Sequence, residues 1–216
     1  MLIGMRNAIL ADGAAPGPTP AYWGLCFTAE AANSSVQLTA VGSPPAVTLV
    51  KSFDGINWEA YAVGEVIDLP STGDLVYLAA GEGGNETFGS SSTVYHKFVI
   101  NGLVAASGDI TSLRRFDLEQ TTLAAHCYVS MFYGCTGLTS APELPATTLK
   151  TSCYASMFNG CTDLSLIKVH FTAWGTQTRN WVSNVSPTGT FYKPSALSEE
   201  FEVSKIPTGW TVVNID

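Results

Sequence analysis

The sequence predicts a mainly β protein, an N-terminal β-sandwich followed by a short solenoid of repeated coils with capping segments. Two observations carry this. Short β-prone runs bounded by turn residues recur between residues 22 and 100, and one 26-residue unit occurs twice in tandem between 121 and 172. Hydrophobic residues make up 46% of the 216 and charged residues 13%, which supplies a core and too little charge for a solvated, unfolded chain. The expected domains are an extended arm at 1–20, the β-sandwich at 21–108 and the repeat domain at 109–216.

The first twenty residues mix apolar side chains with Gly13, Pro16, Gly17, Pro18 and Pro20, the composition of an arm rather than a packed element. Arg6 is followed only by Asn7, Ala8, Ile9, Leu10 and Ala11 before Asp12 and Gly13 interrupt, too short a run for a secretory signal. No apolar run approaches the roughly 20 residues of a membrane-spanning helix, so no membrane insertion is expected. The reading is of a protein made and assembled in a cytoplasm.

The sandwich is expected from strands at Tyr22–Thr28, Ser35–Val41, Ala46–Phe53, Trp58–Val63, Glu65–Leu69, Leu75–Ala80 and Val94–Ile100, each flanked by Gly, Pro, Asn, Asp or Ser. That spacing of turns fits a small antiparallel, immunoglobulin-like sandwich. Asp54-Gly55 marks a hairpin, since glycine tolerates the positive φ of tight turns. A calcium loop there would need further carboxylates. The glycine-rich stretch from Gly81 to Asn85 lacks the Lys-Ser/Thr ending and following helix of a phosphate loop, and reads as a strand connection.

In the repeats at 121–146 and 147–172, Thr121, Thr122, Leu123, Cys127, Tyr128, Ser130, Met131, Phe132, Gly134, Cys135, Thr136 and Leu138 all recur 26 positions on, with no gap. Twelve identities in 26 positions do not arise by chance. Apolar residues at Leu123, Cys127, Met131 and at Tyr128, Phe132 have the spacing of a short helix with one buried face, ending at Gly134. Leu138–Leu144 and Leu164–Phe171 read as extended. One short helix and one strand per 20 to 29 residues is the leucine-rich-repeat plan, in which each coil buries its apolar face by stacking on the next. Two coils need caps. A degenerate coil around Ile110–Leu118 is expected to join the sandwich to the first coil, and residues 173–216, with Trp181, Val185, Phe191 and Trp210, form the downstream cap.

The wording Phe132-x-x-Cys135-x-x-Leu138-x-x-Ala141-Pro142-x-Leu144-Pro145 resembles the BspA-like leucine-rich repeats of bacterial surface proteins and gut-phage structural proteins. Phe158-x-x-Cys161-x-x-Leu164-x-x-Ile167 keeps the pattern without the Pro-x-Leu-Pro. The likeness extends to Ser52-x-Asp54-Gly55-x-x-Trp58 and Gly73-Asp74-x-Val76-Tyr77-Leu78 upstream. It also takes in Trp181-Val182, Gly189-Thr190-Phe191 and Ile206-Pro207-x-Gly209-Trp210-Thr211-Val212 downstream, so that it covers roughly residues 25 to 216. The resemblance implies a phage virion component, a head or tail decoration protein or fibre, anchored to other virion proteins by its arm and attaching to a bacterial surface protein or glycan. It also implies possible homo-oligomerisation as a trimer. The alternative within the family is a bacterial cell-surface adhesin, which would require an export signal.

No catalytic constellation is legible, and the chain is expected not to be an enzyme and to need no cofactor or metal. Four of the five cysteines, Cys127, Cys135, Cys153 and Cys161, occupy equivalent positions in pairs eight apart, the wrong spacing for a zinc site. They read as buried repeat core with Phe132, Phe158, Leu138 and Leu164. His96, His126 and His170 lie in no motif with a nucleophile or carboxylate pair, and Glu199, Glu200 and Glu202 read as a solvated acidic turn. The net charge of −8 repels a phosphate backbone, which argues against nucleic-acid binding. Candidate partner contacts are Tyr133 and Asn159, which differ at one repeat position as exposed residues do, and Trp174, one of several aromatics suited to a sugar- or protein-binding face.

Overall fold

The computed structural model describes residues 24–115 and 121–215, and the arm expected at 1–20 lies outside them. The described chain is mainly β, with two sheets and only two short 3₁₀ turns, Ile110–Leu113 and Thr176–Thr178. The first nine strands are Leu25–Ala29 (β1), Ser34–Val41 (β2), Leu49–Ser52 (β3), Glu59–Tyr61 (β4), Val66–Leu69 (β5), Leu75–Ala80 (β6), Gly89–Ser91 (β7), Val94–Asn101 (β8) and Val104–Ser107 (β9). Four more follow at Leu138–Ser140 (β10), Leu166–Lys168 (β11), Thr190–Lys193 (β12) and Thr211–Asn214 (β13).

The smaller sheet has the order β5-β2-β8-β7 and is antiparallel. Its central pair alternates as a half-buried sheet must: Val36 and Leu38 face inward opposite Ile100 and Phe98. The larger sheet runs β13-β12-β11-β10-β9-β1-β6-β3-β4. Its β3–β4 hairpin closes over Asp54, whose carboxylate accepts from the amides of Ile56 (2.8 Å) and Asn57 (2.7 Å), while Gly55 takes φ of 72°. These hydrogen bonds hold the Asp54 carboxyl well below the usual carboxylate range.

The larger sheet changes character at β9. On one side β9 pairs antiparallel with β1, and on the other it pairs parallel with β10. From there each strand lies parallel to the last. Ser140 is opposite Leu166, 26 positions on, Leu166 is opposite Thr190, 24 on, and Thr190 is opposite Thr211, 21 on. Strand stacking therefore continues through the segment beyond residue 173, with a shortening period. Parallel neighbours require a crossover. Here it is a run of turns.

The helix expected within Leu123–Tyr133 does not form. Its place is taken by successive turns, in which Val129, Met131, Tyr133 and Cys135 each donate an amide to the carbonyl three residues back. The intervening amides point out of the coil: Tyr128, Ser130, Phe132 and Gly134 donate to Cys153, Ala155, Met157 and Asn159 of the next coil at 2.8–2.9 Å. A helix would consume all these donors internally and leave none to join neighbours. Positive φ at His126, Ser130 and Gly134, and again at Ser152, Ser156 and Gly160, breaks the helical ladder every fourth residue. A period of four is close enough to 3.6 to mimic a helix over eleven residues.

Of the degenerate coil expected around Ile110–Leu118, residues 116–118 lie outside the described residues. Residues 110–113 form a 3₁₀ turn capped by Asp109, whose carboxylate accepts from the Thr111 amide at 2.6 Å. The positions that a preceding coil would fill are taken by Phe88 and Phe98 of the β7–β8 region. Phe88 donates its amide to Cys127 (2.9 Å) and Phe98 to Met131 (2.7 Å), as Tyr128 and Phe132 donate to Cys153 and Met157.

Candidate partner-binding surface

Two columns of aromatic rings run through the interior and fix what remains for the surface. Phe98, Phe132 and Phe158 stack at 5.2 and 5.6 Å with interplanar angles of 23° and 18°. Phe88, Tyr128 and Tyr154 stack beside them at 5.8 and 6.2 Å. Both columns end on Trp181, which lies 6.0 Å from Phe158 and 6.5 Å from Tyr154. All of these rings are buried, and they belong to one hydrophobic cluster that spans both sheets and every coil. Each stacked pair adds about 0.5–1.5 kcal/mol beyond the burial of its area.

The four repeat cysteines lie in the same interior with Leu138 and Leu164, all at most 2% exposed. Cys135 donates its thiol to the Phe98 carbonyl (3.2 Å) and Cys161 to that of Phe132 (3.0 Å), one rung apart. Burial pushes the thiols of Cys127, Cys135 and Cys153 up to about 12, and Cys161 is raised for the same reason. A thiol held protonated is a weak donor and a poor nucleophile or ligand. Among the described residues no group of three or more His, Cys, Asp or Glu side chains is placed to hold a metal ion.

The histidines are dispersed. His96 is buried with its ring nitrogen 3.2 Å from the Phe88 carbonyl, and burial lowers its pKa. His126 occupies one of the positive-φ corners. His170 meets Glu143 of the preceding coil at 2.6 Å, and Lys168 meets the same carboxylate at 2.7 Å. Burial opposes ionisation of Glu143, but hydrogen bonds from Lys168 and His170 outweigh it and hold the carboxyl below its usual range.

Of the candidate contacts, Tyr133 is 44% exposed, with the Lys97 ammonium 5.8 Å from its ring centre. Asn159 occupies the corresponding corner of the next coil, its carbonyl accepting the Gly134 amide. Trp174 lies elsewhere, beyond β11 where the chain turns back to begin another coil. The structure thus brings Tyr133 and Asn159 together on one edge of the stack and leaves Trp174 at the other end of the coil.

Trp174 borders an open cleft of about 560 Å³ lined also by Ala173, Gly175, Ala196, Ser198, Glu200, Glu202 and Lys205. Its indole N–H donates to the Ser198 carbonyl at 2.9 Å, and its ring packs on Phe171, Trp181 and Phe191 at 5.4–6.2 Å. Lys205 forms an ion pair with Glu200 and a second, at 3.4 Å, with Glu202. The lysine hydrogen bond holds Glu200 below the usual carboxylate range and raises Lys205. Sequence reading treats these glutamates only as a solvated turn. The signal that sets them beside Trp174 is the strand spacing of 24 and then 21, which the fading residue identities conceal.

Comparison with protein-family models, curated proteins and solved structures returns no match. No helix among the described residues is long and apolar enough to cross a membrane.

Proposed function

We propose that this chain is a non-enzymatic structural and attachment component of a phage virion, an immunoglobulin-like sandwich capping a short leucine-rich-repeat solenoid. Residues 1–20 anchor it to other virion proteins, and the coil surface contacts a bacterial surface protein or glycan. The observation that carries this reading is the pair of aromatic columns crossing from the paired sheets into the coils. They enclose the four repeat thiols and their own rings in one interior, so that the accessible chemistry is a display surface with Tyr133 at one edge and the Trp174 cleft at the other. The BspA-like wording of the repeats supports the same assignment. Co-sedimentation of the protein with purified virions is the expected result, lost on deletion of residues 1–20 while the melting temperature is kept. Fractionation with cell envelopes would refute the virion reading, and retained incorporation of the truncated chain would refute the anchor.

A further inference from the structure

We infer that the Trp174 cleft is a binding site for a neutral saccharide, its indole serving as the platform and the Glu200–Lys205–Glu202 array as the hydroxyl-reading wall. The attachment reading above supplies only the reason such a site would be useful. The site itself rests on four features of the cleft.

The first is a ring with no remaining polar demand. The Trp174 N–H is already donated to Ser198, so what the partly exposed indole offers a ligand is apolar ring surface. Such a surface matches the C–H face of a pyranose and cannot satisfy a ligand that needs a hydrogen bond there. The second is rigidity. Contacts with Phe171, Trp181 and Phe191 and the 2.9 Å hydrogen bond fix the ring before any ligand arrives, so binding does not have to order it.

The third is the charge pattern. Lys205 stands between two carboxylates, which presents acceptor, donor and acceptor along one wall. Each sugar hydroxyl both donates and accepts, so adjacent hydroxyls can engage this sequence without disrupting it. A cationic ligand would have to displace Lys205, and an anionic one would meet two carboxylates for one ammonium. The array therefore favours an uncharged, polyhydroxylated ligand over either. The fourth is space. The volume of about 560 Å³ falls within the roughly 300–1,000 Å³ of small-ligand sites, and the small side chains at Ala173, Gly175 and Ala196 keep it open.

The test titrates the full chain with neutral hexoses and N-acetylhexosamines, as monosaccharides and disaccharides, up to about 50 mM, well above the millimolar affinity of a single-platform site. Saturation-transfer NMR reads ligand contact and tryptophan emission reads the platform. At least one of these sugars is expected to bind saturably. Ala196→Phe, which fills the cleft from an exposed position, should weaken that binding at least tenfold with an unchanged melting temperature, and Trp174→Ala should abolish it. Absence of saturable binding across the panel, or binding that survives Ala196→Phe, overturns the proposal. So does binding confined to charged sugars or peptides. Virion co-sedimentation of Ala196→Phe is a separate readout: if it is kept while sugar binding is lost, the saccharide site holds on its own, and if co-sedimentation fails for the unmodified chain, the virion reading falls without bearing on the sugar.

Discussion

Truncating Phe132 to alanine tests whether the paired sheets and the coils are one cooperative unit. The ring is fully buried, stacked on Phe98 at 5.2 Å and Phe158 at 5.6 Å, and 6.2 Å from Phe27 of β1. A Phe→Ala change in a core costs about 3–5 kcal/mol. Two well-stacked partners, one on each side, place this one in the upper half, at about 4–5 kcal/mol. Against the roughly 5–15 kcal/mol typical of a domain, that is about a quarter or more of the total. The position matters as much as the size. Phe98 belongs to the smaller sheet, Phe27 to the larger and Phe158 to the second coil, so the cavity opens where all three meet. Denaturant titration should give one transition with its midpoint shifted down. Native-state hydrogen exchange should show the amides of Phe27 and Val36 in the sheets losing protection to the same extent as those of Phe158 and Gly160, on the order of a thousandfold for 4 kcal/mol. A loss below about 1 kcal/mol, or lost protection confined to the coil amides, would refute a shared core.

Three further outcomes follow from the geometry. Ser156 sits at φ of 55°, so Ser156→Val should lie about 1–2 kcal/mol below Ser156→Gly in thermal unfolding; equal stabilities would show that the corner does not need the left-handed region. The coil thiols are buried and protonated, so a disulfide reagent at pH 8 should modify Cys127, Cys135, Cys153 and Cys161 no faster than global unfolding, and fast reaction of all four with the native protein would contradict their placement. Because the folded carboxyl of Glu143 is depressed below its ordinary 4.5, its stabilising share is present above that value and disappears as pH falls through the folded value. The stability difference between the unmodified chain and Glu143→Gln should thus be steady at neutral pH and close in acid, and a difference that grows on acidification would reverse the sign of the argument.

Legibility differed sharply between the two halves. The strands of the first hundred residues were readable because alternation and flanking turn residues agree: the expected runs at Ser35–Val41, Leu75–Ala80 and Val94–Ile100 correspond closely to β2, β6 and β8. Four strands were not anticipated: β12 and β13, which the sequence reading left within the downstream cap, and β7 and β9, whose omission has compositional reasons. β7 is Gly-Ser-Ser, with no apolar residue to register a period, and β9 is Val-Ala-Ala-Ser, too small in side-chain volume to stand out. Yet β9 is the strand on which the antiparallel sheet becomes parallel. The 26-residue period was visible by identity alone, but its local structure was not, since a four-residue recurrence of left-handed corners buries one face much as a helix does. The distinguishing mark was present in the serines and glycines: Ser130 to Gly134, Ser156 to Gly160 and, less plainly, Asn180 to Asn184 all fall four apart at positive φ. The cleft was hardest to foresee, because it joins Trp174 to a segment some twenty-five residues further on, past the point where residue identity still reports the stacking.

The amides that leave the first coil do so at the positions used by their counterparts in the second: Tyr154, Ser156, Phe158 and Gly160 donate to Gln177, Arg179, Trp181 and Ser183 at 2.8–3.0 Å. Both repeat coils therefore present the same comb of donors to the coil that follows, and the second and third coils the same comb of acceptors to the one before. A unit of 26 residues can be added or removed between Phe98 and Trp181 without altering what either end must recognise. Each addition would carry the Trp174 cleft about 4.8 Å further from the paired sheets, the separation of adjacent strands. Reach in such a molecule is a matter of counting, adjustable by duplication and separable from the chemistry displayed at its tip.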